Sequence, residues 1–319
     1  MTTLPLLSIV TPCYNEEENV DDLYSRIKSV IAPLTNYRFE IIFIDNHSSD
    51  TTVEKLKILA SKDPTVKIIV NVRNFGHIRS PYYGILQSKG LATIYLASDL
   101  QDPPELIPEF IHHWEQGDKL VMATKPLSQG SVLMHSLRKL YYRFLDSISD
   151  ITIIKDSTGF GLYDKAVLDH LRKIDDPYPF LRGLICELGY PIKTIPFEQP
   201  RRLRGLSKNN FYTLYDIAML GIVSHTKVPI RIMAFSGFVM GFCSFIAAFV
   251  FLILKLVSWD SYPMGMAPVL IGLFFIFGIL SMFIGIIGEY IGVIHTYVQK
   301  RPIVVEKERI GFDNPEDTD

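Results

Sequence analysis

Asp99, Gln101 and Asp102 fall close together in the stretch LASDLQDPPE, Leu96–Glu105. Carboxylate and amide oxygens at that spacing, directly after an apolar run, suit a divalent cation held at a strand end. Magnesium asks little of the protein, because water and substrate phosphates complete its coordination shell. Ala97 stands two positions before Asp99, where another acid would enlarge the donor set. Other polar residues end comparable runs. Tyr14, Asn15 and Glu16 follow LLSIV (Leu6–Val10), Asp45 closes FEIIFID (Phe39–Asp45), and Arg73 and Asn74 follow VKIIVNV (Val66–Val72). Each alone reads as well as a solvated loop. Together they read as one polar rim. Neither GxGxxG nor GxxxxGK[ST] is present, so a dinucleotide fold and a P-loop have no support.

The elements that must position this rim alternate in kind. After the first apolar run, Asn15 is placed to cap a helix, Glu16–Glu18 suit its positive end, and Val20, Leu23, Ile27 and Val30 mark its buried stripe. A second helix follows Ser49 or Asp50 as cap. A third is expected from Ile78 to Ser88 with Pro81 in its first turn. Leu91–Asp99 reads as a fourth strand, ELIPEFIHHWEQG as a helix and KLVMAT as a fifth strand. Such alternation predicts an α/β fold with a mainly parallel sheet. Ligands of open sheets of this kind sit beyond the carboxyl ends of the strands, where the rim lies.

The last third of the chain differs in character. Ile232–Leu254 and Met266–Gly288 each run 23 residues without a charge. Each is long enough to cross a hydrocarbon core of roughly 30 Å; buried helices of a soluble core are the alternative. Trp259 and Tyr262 fall in the connection, as interfacial aromatics do. Lys227, Arg231, Lys300 and Arg301 flank the outer ends, and only Lys255 lies near the connection. The N-terminal region and the tail are therefore expected in the cytoplasm. Glu289 ends the second apolar run and is expected near the interface. Between Arg201 and Arg231, Phe211, Leu214, Tyr215, Ala218 and Ile222 form one helical apolar face behind Arg201, Arg202, Arg204 and Lys208. That pattern fits a helix lying on an anionic membrane surface, or one packed on the preceding domain.

Bulk properties bound the function. The chain has 319 residues and a net charge of −2, which advertises no nucleic-acid partner. Its mean hydropathy is +0.20, and most of the apolar excess lies after Pro229. Cys13, Cys186 and Cys243 are far apart and read as reduced structural thiols. The N-terminus lacks a basic flank and a long apolar core, so no cleaved signal peptide is expected.

The segments SIVTPCYNEEENV, IIFIDNHSSDTT, NVRNFG and DLQDPPE, in this order, resemble the family 2 glycosyltransferases with a GT-A fold. DSTGFGLYDKAV (Asp156–Val167) and RLRGLSK (Arg202–Lys208) are similar to later motifs of the polyprenyl-phosphate sugar transferases, relatives of dolichol-phosphate mannose synthase. The two apolar runs resemble the anchor of bacterial members that glucosylate undecaprenyl phosphate. The resemblance implies a UDP-sugar donor, a lipid-phosphate acceptor and Mg2+ or Mn2+. By position, it implies that Pro12, Tyr14, Glu16, Asp45 and Arg73 hold the nucleotide. Asp99 and Gln101 become the metal ligands. Asp99 and Asp156 become the catalytic carboxylates, with Asp156 at the acceptor, while Arg202, Arg204 and Lys208 meet phosphate. The sequence departs from the common pattern at Ala97, where Asp is usual, at Asn46, where an acid is frequent, and at His77, where many relatives have Lys.

The expected organisation is a GT-A catalytic domain over residues 1–200, a basic amphipathic segment over 201–230, two transmembrane helices within 231–296 (about 232–254 and 266–290) and a cytoplasmic tail over 297–319. The expected activity is inverting transfer of a hexose, taken as glucose from UDP-glucose, to undecaprenyl or a similar polyprenyl phosphate at the bacterial inner membrane. Gly237, Gly241, Gly272, Gly278, Gly285, Gly288 and Gly292 would permit close helix packing, within a chain or in a homo-oligomer. Competing classes are a polysaccharide synthase, disfavoured because QPRRL (Gln199–Leu203) lacks the Trp of QxxRW, a non-catalytic sugar-nucleotide-binding adaptor, favoured by Ala97, and a lipid flippase, disfavoured by so few spans.

Overall fold

The computed structural model describes residues 4–125, 157–200, 228–257 and 266–312. Asp156, Arg202, Arg204, Lys208, Trp259 and Tyr262 lie outside those residues, as does nearly all of the expected juxtamembrane segment.

Strands β1 (Leu6–Cys13), β2 (Arg38–Asp45), β3 (Val66–Asn71), β4 (Ala92–Tyr95), β5 (Leu120–Thr124), β6 (Ser157–Asp164), β7 (Ile192–Pro196) and β8 (Glu306–Ile310) form one sheet in the order β7-β5-β6-β4-β1-β2-β3-β8. The pairs β1–β2, β1–β4, β2–β3 and β5–β7 are parallel; β6 runs antiparallel to both β4 and β5, and β8 antiparallel to β3. This is the mainly parallel α/β architecture expected of a GT-A fold.

Helices cover both faces. On one, α1 (Val20–Ile31), α2 (Thr52–Lys62) and α4 (Ile107–Glu115) bring Leu23, Ile27, Leu56 and Phe110 against Ile9, Ile41 and Phe43. On the other, α3 (Gly76–Leu86), α5 (Lys165–Leu171) and α6 (Leu181–Glu187) bring Tyr82, Val167 and Leu184 against Val10, Ile42 and Ile44. Burial from both sides explains why the central strands read as continuous apolar runs and not as alternating ones.

Local expectations shift in five places. Asn15 does not cap α1; it sits at φ 55° in the preceding loop, and Asn19 precedes the first helical residue. The Glu16 carbonyl accepts the backbone N–H groups of both Asn19 and Val20, so a turn intervenes. Ile31, not Val30, closes the fully buried stripe. The second helix begins one residue later than expected, after Thr51, with the Asp50 carboxylate accepting the Thr52 N–H at 3.0 Å. Pro81 lies inside α3 beyond its first turn, and β4 ends at Tyr95, leaving 96–99 to a loop.

Two apolar helices follow, α7 (Val228–Val257) and α8 (Met266–Val298). Among the described residues one stretch, Phe275–Val298, is long and apolar enough to cross a membrane, and a shorter apolar stretch, Ile230–Cys243, lies in α7. Phe238 is 85% exposed and Phe277 69%, as lipid-facing side chains would be. Glu289 sits more than two turns short of the helix end, because Ile291, Val293 and Ile294 continue the apolar run beyond it. A Cβ on any of the helix glycines named above would meet open space.

The chain then returns to the sheet. β8 pairs with β3 through Ile310↔Ile68 and Glu306↔Asn71, so its first residue lies at the carboxyl end of β3. The side chains of β8 reinforce the pairing: Lys57 Nζ meets Glu308 Oε2 at 2.6 Å, and the Tyr83 hydroxyl donates to Glu306 Oε1 at 2.8 Å. The expected tail is thus, in part, an edge strand of the catalytic sheet.

Gly161 decides whether β6 can enter the sheet. A Cβ there would fall onto the backbone carbonyl oxygen of Val121 in β5. That atom belongs to the ladder and cannot swing aside. Gly161→Ala is expected to lower the thermal unfolding midpoint by the equivalent of about 1–3 kcal/mol. An unchanged midpoint would mean that β5 and β6 are not paired this closely.

Candidate functional site

The carboxyl ends of β1, β2, β3 and β4 open onto a cavity of about 340 Å³. Its wall includes Pro12, Tyr14 and Glu16 at the end of β1, Asn46 after β2, Asn74 between β3 and α3, Gly76, His77 and Ser80 in α3, and Tyr95 and Asp99 at the end of β4. Because β6 is antiparallel, its first residue, Ser157, pairs with Thr124 at the same rim. Asp156 itself lies outside the described residues.

Loops from different strands brace one another. The Asn15 side-chain oxygen accepts the Ser49 N–H at 2.8 Å, and the Asn15 N–H reaches Ser48 Oγ at 2.8 Å. The Glu16 N–H donates to Thr52 Oγ1 at 2.9 Å, and the Thr51 N–H donates to Glu17 Oε2 at 3.0 Å. Asp45 is fully buried behind this bracing and accepts both the Ser48 hydroxyl and the Ser48 N–H. Burial raises its pKa, and the Ser48 hydrogen bonds oppose that rise. It is therefore a support under the rim, absent from the cavity wall. Arg73 is also off the wall; its guanidinium stacks over the Phe75 ring with 4.1 Å to the centroid.

Asn46 holds the loop after β3. Its amide nitrogen donates to Asn74 Oδ1 at 2.9 Å and to the Gly76 carbonyl at 3.2 Å. Its oxygen accepts the Phe75 N–H at 2.9 Å and the Asn71 amide at 3.1 Å. Two acceptors face the nitrogen and two donors face the oxygen, so only an amide satisfies the position. Here lies a physical reason for the departure at residue 46. Its signal in the sequence was the departure itself, but the partners are 25 to 30 positions away.

The loop after β4 is tight. Leu100 adopts φ 60°, an uncommon conformation for a non-glycine residue. Asp99 Oδ1 accepts the Gln101 N–H at 3.2 Å, and Asp102 Oδ2 accepts the Ala97 N–H at 3.0 Å. Asp99 lines the cavity, whereas Gln101 turns away, its amide nitrogen 3.4 Å from the Pro200 carbonyl. Asp102 is 2% exposed, and burial raises its pKa to about 7, with the Asp99 charge adding to the rise. Among the described residues no three His, Cys, Asp or Glu side chains gather as a cage made wholly by protein would require. Two carboxylates, Glu16 and Asp99, line a cavity roomy enough for phosphates, within the one or two that magnesium commonly takes from a protein. The residues present therefore fit a divalent cation held by Asp99 and completed by a bound diphosphate and water.

A family model described as glycosyl transferase family 2 matches residues 8–172. An uncharacterized glycosyltransferase of Bacillus subtilis, YkcC, is 32% identical over 96% of this chain and 95% of its own length. A prophage bactoprenol glucosyl transferase homolog of Escherichia coli K12 is 30% identical over 93% of this chain and 96% of its own. Among solved structures, a mannosyltransferase from Pyrobaculum calidifontis aligns over 94% of this chain and 89% of its own at 12% identity, with a TM-score of 0.46.

Two predictions follow from the wall. Asn46→Asp sets lone pairs against two acceptors, so it should lower the unfolding midpoint by the equivalent of about 1–3 kcal/mol. Thermal unfolding checks this, and a wild-type midpoint would contradict the bracing role. Asp102 ionises near 3.8 when unfolded and near 7 when folded. The folded protein thus holds the extra proton between those values and loses stability as pH rises through them. In metal-free protein, the stability of Asp102→Asn relative to wild type should therefore rise from pH 5 to pH 8. A pH-independent difference would show that Asp102 is not buried as an acid.

Proposed function

The chain belongs to glycosyl transferase family 2 and is a glycosyltransferase, and from that premise we propose that it moves a hexose, glucose from UDP-glucose, to undecaprenyl phosphate. The observation that carries this reading is the position of the cavity at the end of a membrane-length helix. The Tyr297 hydroxyl, one residue from the end of α8, donates to Asp176 Oδ2 at 3.0 Å. β8 then begins at the carboxyl end of β3, on the same rim as the cavity. The catalytic rim faces the membrane surface, where a lipid phosphate presents its headgroup. Relatives named as bactoprenol glucosyl transferases, at about 30% identity over most of both chains, support the same acceptor and sugar.

The return of β8 also bears on how the chain crosses the bilayer. β3 and β8 are neighbours in one sheet, so both lie on one side of the membrane. If Phe275–Val298 crosses, the chain must cross an even number of times. Among the described residues, α7, 30 residues long, is the helix available for the other crossing. This supports a two-span anchor with the catalytic domain in the cytoplasm, as the flanking Lys227, Arg231, Lys300 and Arg301 also favour.

The chemistry is one displacement. An oxygen of the acceptor phosphate forms a bond to C1 of the hexose as the bond from C1 to the β-phosphate oxygen breaks. The electron pair leaves on UDP, and configuration at C1 inverts. Pro12, Tyr14 and Glu16 line the nucleotide part of the cavity, with Asp45 holding their loop from below. Asp99 anchors Mg2+ or Mn2+, which when bound neutralises charge developing on the leaving diphosphate. The second pKa of a phosphate monoester is about 6, so the acceptor needs no strong base near neutrality. Asp156 then serves to orient the acceptor or a neighbouring cation, while Arg202, Arg204 and Lys208 offset repulsion between the two phosphate groups.

Purified protein, polyprenyl phosphate and a panel of UDP-sugars and GDP-mannose, with and without magnesium, test the reading by mass spectrometry of the extracted lipid. A metal-dependent hexosyl phospholipid formed from UDP-glucose is expected, with turnover about 10²–10³ lower for Asp99→Asn. Nucleotide binding without a lipid product from any donor would overturn it.

A further inference from the structure

Beside the nucleotide cavity lies a second cavity of about 140 Å³, and the two share His77, Pro81 and Tyr95 in their walls. Its remaining lining includes Thr158, Gly159, Phe180 and Arg182. The volume is several times the roughly 30 Å³ that one water occupies in the liquid. It suits a small group, while the larger cavity falls within the usual range for whole ligands, on the order of 300–1,000 Å³.

Arg182 is the cation of this second cavity. Nη1 donates to the Ser157 carbonyl at 2.9 Å, and the guanidinium lies over the Phe180 ring with 5.1 Å to its centroid. These contacts fix its plane but use few of its five N–H donors. Among the described residues no carboxylate pairs with it. Its charge is felt at the junction: His77 is held below its ordinary pKa, first by partial desolvation and then by Arg182.

The cavity lies close to the membrane end of the molecule. Asp176, which accepts the Tyr297 hydroxyl, also accepts the Tyr178 N–H at 2.8 Å, and the chain from Asp176 runs directly into Phe180. Four residues span at most about 14 Å. A headgroup in this cavity therefore stays close to the end of the apolar helix, and its hydrocarbon chain need not leave the bilayer. A phosphate there would abut the diphosphate of a bound donor and needs a cation on its far side. Arg182 supplies one with fork geometry.

We infer that the Arg182 cavity receives the phosphate monoester of the acceptor lipid, with Arg182 as its clamp. This rests on the reading that the acceptor is a lipid phosphate. The test uses the full chain in detergent with UDP-glucose and either undecaprenyl phosphate or a short, soluble polyprenyl phosphate. Arg182→Gln should raise the KM for both acceptors by roughly tenfold to a hundredfold, with the donor KM changed less than about twofold. Arg182→Lys, which retains the charge and a donor to Ser157, should fall between. Inorganic phosphate should compete with the acceptor in the wild type and lose potency in Arg182→Gln to the same degree.

An unchanged acceptor KM, an equal rise in donor KM, or a rise seen only with the long lipid would overturn the assignment. If Arg182→Gln fails to fold, as judged by loss of UDP binding, the Lys variant and the phosphate competition decide. A wild-type enzyme that makes no sugar-phosphate lipid from any donor would instead sink the acceptor reading itself.

Discussion

A sheet buried on both faces leaves polar chemistry only its edges. In this protein the constraint is severe, because Leu7, Ile9, Val10, Ile41, Ile42, Phe43 and Ile44 are all completely inaccessible. Any ionisable group placed along the centre of β1 or β2 would be stranded without water. The groups that could act on a substrate are consequently pushed to the carboxyl ends of the strands. Parallel pairing of β1 to β4 gathers those ends on one rim, and the antiparallel entry of β6 delivers its first residue to the same place.

A rim made of loops must be rigid to be useful, and rigidity here comes from cross-strand bracing. Asn15, His47 and Leu100 all adopt positive φ, at 55°, 68° and 60°. Such residues are uncommon and cluster where surrounding structure over-determines the backbone. Asn15 is held through Ser48 and Ser49 of the neighbouring loop, and Leu100 is enclosed by the Asp99 and Asp102 turns. Asp45 and Asn46 contribute in the same way. They organise the wall from behind, through hydrogen bonds to the loops that form it.

Much of this was legible in the chain. The first five strands announce themselves as apolar runs, and Pro12, Tyr14, Glu16 and Asp99 fall on the cavity wall where motif order suggested. What escaped did so for identifiable reasons. β6 is written STGFGLYD, a segment that entered only as a motif and not as a strand. Gly161 is there because a backbone passes where a side chain would stand. β8 is written EKERI, which reads as solvated tail; alternate charged residues are how an edge strand stays soluble. Arg182 sits in an unremarkable helix, and only the fold brings it to Tyr95 and His77. Gln101 and Arg73 have rim positions in sequence, but their side chains turn away from the wall.

The shortage of acid at residue 97 takes on a different meaning beside Asp102. The Asp102 carboxylate accepts the backbone N–H of Ala97 itself, so a second acid already occupies the space next to that position. It is close enough to Asp99 for the two charges to raise the Asp102 pKa, on top of the effect of burial. A carboxylate on residue 97 would put a third negative charge beside this pair, in a partly buried loop where like charges are poorly screened. A divalent cation could relieve that crowding only while bound. With alanine there, the loop keeps its geometry without a cation, and Asp99 is the carboxylate of this loop that lines the cavity. A smaller donor set would leave more of a cation's coordination shell to the phosphates of a ligand. Electrostatically, then, Ala97 suits a site whose cation would arrive with its ligand better than one that would hold a metal permanently.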